Sequence, residues 1–582
     1  MKGFLLLLLS FTFSLCLPGQ EINRHYTKGT SRGMPYRATS GTQNPERKAS
    51  IPSQPLRAMA EWEEVEYLVL AWTQHIPTLT QIVKHAQRHV KVLIICKDSA
   101  EVCQYLGQCN IPIENVHFLE AAFNSIWVRD YGGYSVYADE VGERRLADWM
   151  YNRPRPLDDQ IPRAISQFLH IPLYEMSSAP WNLVHTGGNF LTDGMGTGFS
   201  SELVLQENMS HEALPKSVAE IELAVQKFMG IHRYITMPIL PYDGIHHIDM
   251  HMKLLDEETI LLGAYPKGIS NGPQIEANLQ YMVQHHLSPY GRPYKVIRIP
   301  MPPDNGYYPP AVSASYRTYT NAVILNQLVL VPLFEEKYDT TALRIYREAM
   351  PGYEIVGIDC KDVIESGGAL HCITNTIGVA DPLRITHKVL SAQTNDQNAY
   401  EIQAQIQHQS GIRKAYLYYT SGLDMAFKRV PMERQKGSLY LWTGHIPAQV
   451  APNQIYYYIS AESQNGKRMQ RPVVGEEGPW KFEILSEDSH MKEENFQPLR
   501  VERVEEQEGE FLTCLEIHNP VTERGTIHIL NAWGRKVKSL YRGRIPRGTH
   551  RFYLNQDDFD EGVYTLVIDK PSNRIMQELT IR

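Results

Sequence analysis

EYLVLAW at residues 66–72 and KVLIIC at 91–96 are apolar runs of the length of buried strands, and the polar amphipathic stretch between them reads as a helix. The same order returns further on, where AVILNQLVLVPLF (322–334) leads through TTALRIYREAMP to EIVGID at 354–359. Strands alternating with helical patterns define an α/β domain of repeated strand, helix, strand modules. Period alone leaves open whether these modules form a flat sheet or a ring.

Outward from this region the texture changes on both sides. Past Pro382 the helical period disappears, and AYLYYTS (415–421), SLYLWTG (438–444) and IYYYISAES (455–463) predict a β-sandwich over residues 386–485. The charged stretch SEDSHMKEENFQPLRVERVEEQEGE (486–510) reads as a linker. TIHILNA, THRFYL, GVYTLVI and MQELTIR, separated by Gly, Asn and Pro, predict a small β-domain over 511–582. Residues 21–54 are polar, basic and rich in Ser, Thr, Gly and Pro, a composition that cannot bury enough apolar area to order itself, and read as a linker or pro-segment. At the start, Lys2, an apolar run from Phe4 to Leu17 and the Pro18-Gly19-Gln20 break have the form of a signal peptide over 1–20. That run is too short for an ordinary transmembrane segment, and no later stretch offers 18 uninterrupted apolar residues. The α/β domain therefore occupies 55–385.

Composition narrows the class. Across 582 residues, 57 Lys and Arg stand against 65 Asp and Glu, a net charge of −8, so no global basic field favours nucleic acid as a partner. Gly at 39, Pro at 36 and 10% aromatic residues exclude collagen-like and wholly disordered chains. Six cysteines follow residue 20: Cys96, Cys103, Cys109, Cys360, Cys372 and Cys514. Their spacing matches neither a disulfide framework nor a CxxC metal site, so no metal site is expected. Cys103 and Cys109 are near enough in sequence to pair, and Cys372 is either a packed thiol or a reactive one.

Three segments could carry chemistry. In GGALHCITN (367–375) Cys372 follows a double glycine, which lets backbone approach a ligand closely, although a cysteine near glycine is equally a structural thiol until a base is found. HHIDM (246–250) offers one: on a strand, His247 and Asp249 project to the same side while Ile248 and Met250 face the opposite layer. An imidazolium beside a thiol lowers the thiol pKa from about 8.5 and can protonate a leaving group. In WVRDYGG (127–133), Asp130 follows Trp127 and precedes glycines. An Asp there commonly serves the turn itself, but two carboxylates and an aromatic wall also suit a planar delocalised cation such as the arginine guanidinium.

Taken in order, WVRDYGG, HTGGNFLTDG (185–194), the HID at 247–249, YTNAVILN (319–326) and GGALHCITN resemble the guanidine-modifying deiminases. The resemblance spans roughly Leu56 to Pro382 and includes both agmatine deiminases and the bacterial peptidylarginine deiminase. It implies a pentein fold, a pseudosymmetric five-bladed α/β propeller around a central pocket. It also implies Cys372 as nucleophile, His247 as general acid and base, Asp130 and Asp249 as guanidinium holders, and Asn321 as an orienting residue. Trp127 and Gly187, Gly188 and Asn189 would shape the pocket. Arg153 and Arg155 in MYNRPRPLDD (150–159) match the paired arginines implied to bind the α-carboxylate of a C-terminal arginine. Agmatine, which lacks a carboxylate, would be repelled there. Where the peptide enzyme has a tyrosine three positions before the HID histidine, this chain has Gly244, with Tyr242 nearby, while GGALHCIT is nearer to the agmatine enzymes. The tail resembles an immunoglobulin-like domain followed by a C-terminal sorting domain of type IX secretion cargo. The expectation is thus a secreted or outer-membrane-associated hydrolase, needing no cofactor, that deiminates arginine-containing peptides or proteins and engages the type IX secretion machinery. A deiminase of agmatine or free arginine, a catalytically inactive peptide-binding adhesin and a cysteine peptidase are the alternatives.

Overall fold

The computed structural model describes residues 36–37 and 51–581, apart from 212–214, 312–313, 395–397, 451–452, 486–498, 506–510, 520–521, 532–534, 556–558, 560–561 and 571–573. The expected signal peptide and most of the linker at 21–54 lie outside these residues. Within that linker, Tyr36–Arg37 pairs in parallel with the strand Val116–Glu120.

The two quoted runs form the strands Val65–Ala71 and Lys91–Cys96, paired in parallel with Tyr67 opposite Lys91. The helix Ile76–Ala86 crosses between them and buries Leu79, Ile82, Val83 and Ala86, the i, i+3, i+4, i+7 stripe of an amphipathic helix. The run at 322–334 is not one strand but two. Val323–Leu325 and Leu328–Leu333 pair antiparallel around Asn326, whose φ of 55° falls in the left-handed region that Asn tolerates. Asn326 also ties neighbouring modules together: its Oδ1 accepts from the Val65 N–H at 2.8 Å and its Nδ2 donates to Val65 O and His89 O at 3.1 and 3.0 Å.

Among the described residues the α/β region holds five small sheets, and each contains the same unit of an antiparallel pair followed by a parallel strand. The units are Tyr134–Ala138 with Arg144–Tyr151 and Leu173–Met176; Leu191–Thr192 with Thr197–Ser201 and Arg233–Met237; Met252–Leu254 with Thr259–Ala264 and Lys295–Pro300; Val323–Leu325 with Leu328–Leu333 and Glu354–Asp359; and Asn375–Gly378 with Val65–Ala71 and Lys91–Cys96. In the last unit the end of the domain pairs with its beginning, Asn375 opposite Val69.

From Arg384 the regular structure of the described residues is β, apart from the single 3-10 turn Gly475–Glu477. Nine strands form one continuous sheet, Arg384–Thr386 at one end and Gln393–Thr394 at the other, around a core that includes Ile402, Ile406, Leu417, Ile455, Tyr457 and Ile459. The strands expected from the sequence at 415–421, 438–444 and 455–463 all belong to this sheet, as Ile412–Thr420, Leu441–Ile446 and Asn453–Ser463. Its halves are bridged by just two residue pairs, Glu433 with Thr443 and Arg434 with Trp442. The final region has a three-stranded and a four-stranded sheet sharing Leu515, Ile517, Ile527, Ile529, Leu566 and Ile568. Here the linker expected at 486–510 needs correction, because Leu499–Glu505 is a strand paired antiparallel with Phe511–Asn519. Arg500, Glu502, Arg503 and Glu505 gave this strand the composition of a linker. Among the described residues no helix is long and apolar enough to cross a membrane.

The nine-stranded sheet is fastened to the α/β region by Arg471, whose Nη2 donates to both oxygens of Glu257 at 3.2 and 3.1 Å with both side chains largely buried. Removing one partner of such a pair leaves an uncompensated charge. Arg471→Met is expected to destabilise the protein by about 3–5 kcal/mol, read as a lowered thermal midpoint; an unchanged midpoint refutes this role.

Candidate active site

The five segments singled out above occupy equivalent places. Asp130, Gly188, Asp249, Asn321 and Cys372 each sit within a few residues ahead of the first strand of one of the five units, at Tyr134, Leu191, Met252, Val323 and Asn375 respectively. Tight local turns present them. Asp130 lies in the four-residue helix Val128–Tyr131, and Gly187–Asn189 and Ile248–Met250 are single 3-10 turns. HHIDM is thus not a strand, as its alternation predicted. His247 is extended and caps the 3-10 turn, which still turns Asp249 toward the same point, while Ile248 and Met250 enter two different hydrophobic clusters.

Gly188 marks where these groups meet. A methyl group on it would lie 2.6 Å from His247 Nδ1, 2.9 Å from Asp130 Oδ1 and 3.2 Å from Asp249 Oδ2, so only glycine leaves these three side chains room. Its N–H donates to Asp130 Oδ1 at 3.1 Å, and Thr186 Oγ1 donates to the same oxygen at 2.7 Å. His247 Nδ1 stands 3.6 Å from Asp130 Oδ1, with Nε2 3.5 Å from Thr186 Oγ1. Cys372 Sγ lies 3.7 Å from Asp249 Oδ2 and 3.2 Å from Asn321 Nδ2, which donates to it. Asn321 also grips the loop that carries the sulfur, its Oδ1 accepting from the N–H groups of Ala369, His371 and Cys372 at 3.2, 3.0 and 3.3 Å.

A cleft of about 260 Å³ opens onto this cluster and is lined by Trp127, Asp130, Tyr151, Arg153, Arg155, Ile245, His247, Ser366, Gly367 and Cys372. Arg153 is exposed at the rim, and Arg155 Nη1 donates to Ser125 Oγ and Tyr151 OH, each at 3.2 Å. The structure therefore brings Cys372, His247, Asp130, Trp127, Arg153 and Arg155 to one cavity, with Asp249 and Asn321 buried against the sulfur. Gly187, Gly188 and Asn189, expected to shape the substrate pocket, are not part of its lining. A methyl on Gly187 would stand 2.1 Å from Arg129 O, and Asn189 Oδ1 accepts from the Ser201 and Ile248 N–H groups at 2.8 and 3.2 Å, so this turn braces the walls from beneath. Cys103 and Cys109 are free thiols and do not pair.

Several residues escaped the sequence reading. His371, quoted within GGALHCITN but given no role, is within 2.7 Å of Asp249 Oδ2 through Nδ1 and 3.6 Å from Glu61 Oε2 through Nε2. Glu61 in turn receives Lys253 Nζ at 2.7 Å on both oxygens. Burial opposes ionisation of Glu61, yet Lys253 and His371 hold its carboxyl well below the usual carboxylate range. A buried chain of polar contacts through His371, Glu61 and Lys253 thus backs Asp249. Glu207, beside the cleft, accepts from Asn152 Nδ2 at 2.8 Å and has its second oxygen without a hydrogen-bond partner. Burial pushes its carboxyl above the ordinary range, against the hydrogen bond from Asn152 and the charges of His247 and Arg153.

Burial, then the carboxylates of Asp249 and Asp130, pushes the Cys372 thiol well above the ordinary cysteine value, against smaller lowering by the backbone of Ala369 and by Asn321. The sequence reading expected the imidazole to lower it; two nearby anions and loss of water outweigh that. With a raised pKa the reactive thiolate is scarce at neutral pH and forms only as pH rises. Alkylation of Cys372 by neutral iodoacetamide should therefore keep accelerating at pH values where a small free thiol of pKa about 8.5 has levelled off, and a plateau near pH 7 contradicts this.

A buried sulfur, two carboxylates, an imidazole and an aromatic wall can hold and attack a flat cation, which defines a hydrolase of guanidino C–N bonds. The family described as Porphyromonas-type peptidyl-arginine deiminase matches residues 57–377, and the chain belongs to that family of arginine-directed deiminases. A Vibrio parahaemolyticus protein whose name proposes agmatine deiminase is 24% identical over 351 residues, 55% of this chain and 95% of that protein. A similarly named Mycoplasma capricolum protein is 24% identical over 355 residues, 54% of this chain and 93% of the other. The crystal structure of a Porphyromonas gingivalis protein proposed as an arginine deiminase has 25% identity and a TM-score of 0.50, covering 56% of this chain and 99% of its own. The α/β domain thus shares the deiminase fold, and the all-β regions after residue 382 lie beyond the matched family segment.

Proposed function

We propose that the protein is a secreted peptidylarginine deiminase that converts C-terminal arginine to citrulline by covalent catalysis. Asp130 and Asp249 take the guanidinium between them, Trp127 covers a face of it, and the cation's charge favours the Cys372 thiolate against the carboxylates that otherwise oppose it. The thiolate attacks the guanidinium carbon. The tetrahedral adduct expels one amino nitrogen as ammonia, which takes its proton from the His247 imidazolium, and leaves an alkyl-thiouronium on sulfur. A water molecule, giving its proton to His247, then attacks the same carbon. Collapse breaks the carbon–sulfur bond, restores Cys372 and releases the ureido group of citrulline. Asn321 steadies the sulfur throughout.

The substrate reading rests on one observation, that Arg153 and Arg155 line the same cleft as Cys372 and His247. Two cations at this cleft, Arg155 held by Ser125 and Tyr151 and Arg153 exposed, suit a substrate with a carboxylate beyond its guanidinium, and each charge-assisted hydrogen bond is worth roughly 1.5–3 kcal/mol. A second reading, agmatine or free arginine, is favoured by the names of the curated relatives and by Glu207, whose free oxygen beside Arg153 could take an ammonium group. We further read the five sheets as blades of a closed ring, supported by the pairing of Asn375–Gly378 with Val65–Ala71. On the same footing, residues 1–20 are an export signal, the nine-stranded region is immunoglobulin-like, and the last domain directs type IX secretion to the cell surface.

Citrulline release from an acyl-arginine with a free carboxylate should exceed that from its C-terminal amide by about 10- to 100-fold in kcat/KM, and Arg155→Ala should erase the difference. Equal rates on acid and amide, or turnover of agmatine alone, overturn the peptide reading.

A further inference from the structure

A second cleft, of about 580 Å³, lies on the same domain and is lined by Pro241, Tyr242, Ile269, Tyr307, Tyr308 and Pro309 among others, none of them charged. Tyr307 is 61% exposed, Tyr242 47% and Ile269 40%, so three of the protein's exposed large apolar side chains gather in one place. Contiguous exposed apolar surface of this kind marks a binding site more often than chance does. The walls are already built. Tyr308 packs edge-on against Tyr265 with ring centres 5.4 Å apart, and Tyr265 packs against Tyr316 at 6.2 Å. The Tyr242 N–H donates to Asn271 Oδ1 at 2.8 Å, and Asp304 and Tyr307 exchange backbone hydrogen bonds at 2.8 and 2.9 Å. A ligand entering such a site loses little to ordering the protein.

This cleft is joined to the catalytic one by a single strip of chain. Pro241 and Tyr242 line the aromatic cleft, while Ile245 and His247 line the cavity that holds Cys372. Tyr242 and Ile245 are three Cα steps apart, which at 3.8 Å per step puts their backbones no more than about 11 Å apart. Between them Gly244 is exposed, and a side-chain carbon added there would meet open space, so the strip is a bare backbone shelf. An extended polypeptide covers that span in three or four residues. Tyrosine and proline surfaces without charge suit an extended chain rich in apolar and prolyl residues, which docks on aromatic walls at low entropic cost.

We propose that the aromatic cleft is an extended subsite for the polypeptide that precedes the target arginine, reached across the Gly244 shelf and selective for apolar and proline-bearing segments. It rests on the peptidylarginine reading above and adds where the remainder of the substrate lies. The test compares kcat/KM for citrulline release by the full-length protein on two substrates ending in free arginine: a short acyl-arginine and a nine-residue peptide with apolar and prolyl residues upstream. The longer substrate should be favoured at least tenfold, mainly through KM. Tyr307→Ala and Tyr242→Ala should each remove most of that advantage while leaving the acyl-arginine unchanged. Equal kcat/KM for both lengths, or a loss in the tyrosine variants that is the same for both substrates, overturns the subsite while the peptidylarginine reading stands. Turnover of agmatine with neither arginine substrate overturns both. A nine-residue peptide with serine and glutamate upstream, if used as well as the apolar one, overturns the selectivity.

Discussion

Two buried carboxylates face a buried thiol, and the rest of the domain is arranged around that opposition. Asp130 and Asp249 are both almost wholly out of water, and each would be costly to keep ionised alone. Asp130 is supported by Thr186 and the Gly188 N–H, and Asp249 by His371, which Glu61 and Lys253 back in turn. These supports stabilise the acids but place no cation against the sulfur, and burial with the two carboxylates pushes the Cys372 thiol well above the ordinary cysteine value. A guanidinium is the group that satisfies both acids and the sulfur together. On the mechanism we propose, selectivity for that cation and activation of the thiol are then consequences of one electrostatic arrangement.

The fold delivers these groups by repetition. Each of the five α/β units opens with a short strand, and the residues just ahead of it sit at the site, in a short helix or turn in the units of Asp130, Gly188, Asp249 and Cys372. A turn of three or four residues fixes a side chain more firmly than a long loop does, and these segments bring groups from residue 127 to residue 372 together without any needing to be near another in sequence. Gly187 and Gly188 contribute by what they lack, since side chains there would strike Arg129 O and the His247–Asp130 pair. The brace at Asn321 works across two units, joining the loop of one to the sulfur of another.

Much of this was legible in the sequence, for physical reasons. Strands such as Val65–Ala71 and Lys91–Cys96 are buried on both faces, so uninterrupted apolar runs betray them, and the motif residues Cys372, His247, Asp130 and Asp249 stood in segments whose chemistry was recognisable. Other features depend on contacts that no local pattern records. Glu61 and Lys253 lie 192 positions apart, and each looks like an ordinary surface charge until the fold buries them together. HHIDM has the alternation of a strand, but its turn is imposed by neighbours such as Asn189, which accepts the Ile248 N–H. Leu499–Glu505 carries enough charge to resemble a linker, and only its pairing with Phe511–Asn519 makes it a strand. The aromatic cleft gathers residues from three separated loops, and Gly244, a departure from the peptide enzyme in sequence, gains meaning only beside it.

The central claim is that the guanidinium carbon becomes bonded to the Cys372 sulfur. Acid-quenching the full-length protein during turnover of an arginine substrate and weighing the intact chain and its peptides tests this directly. The account predicts a transient adduct equal to the substrate less ammonia, located on Cys372 and lost as citrulline accumulates. Steady citrulline production with no such adduct at any quench time, together with undiminished turnover by Cys372→Ala, contradicts it.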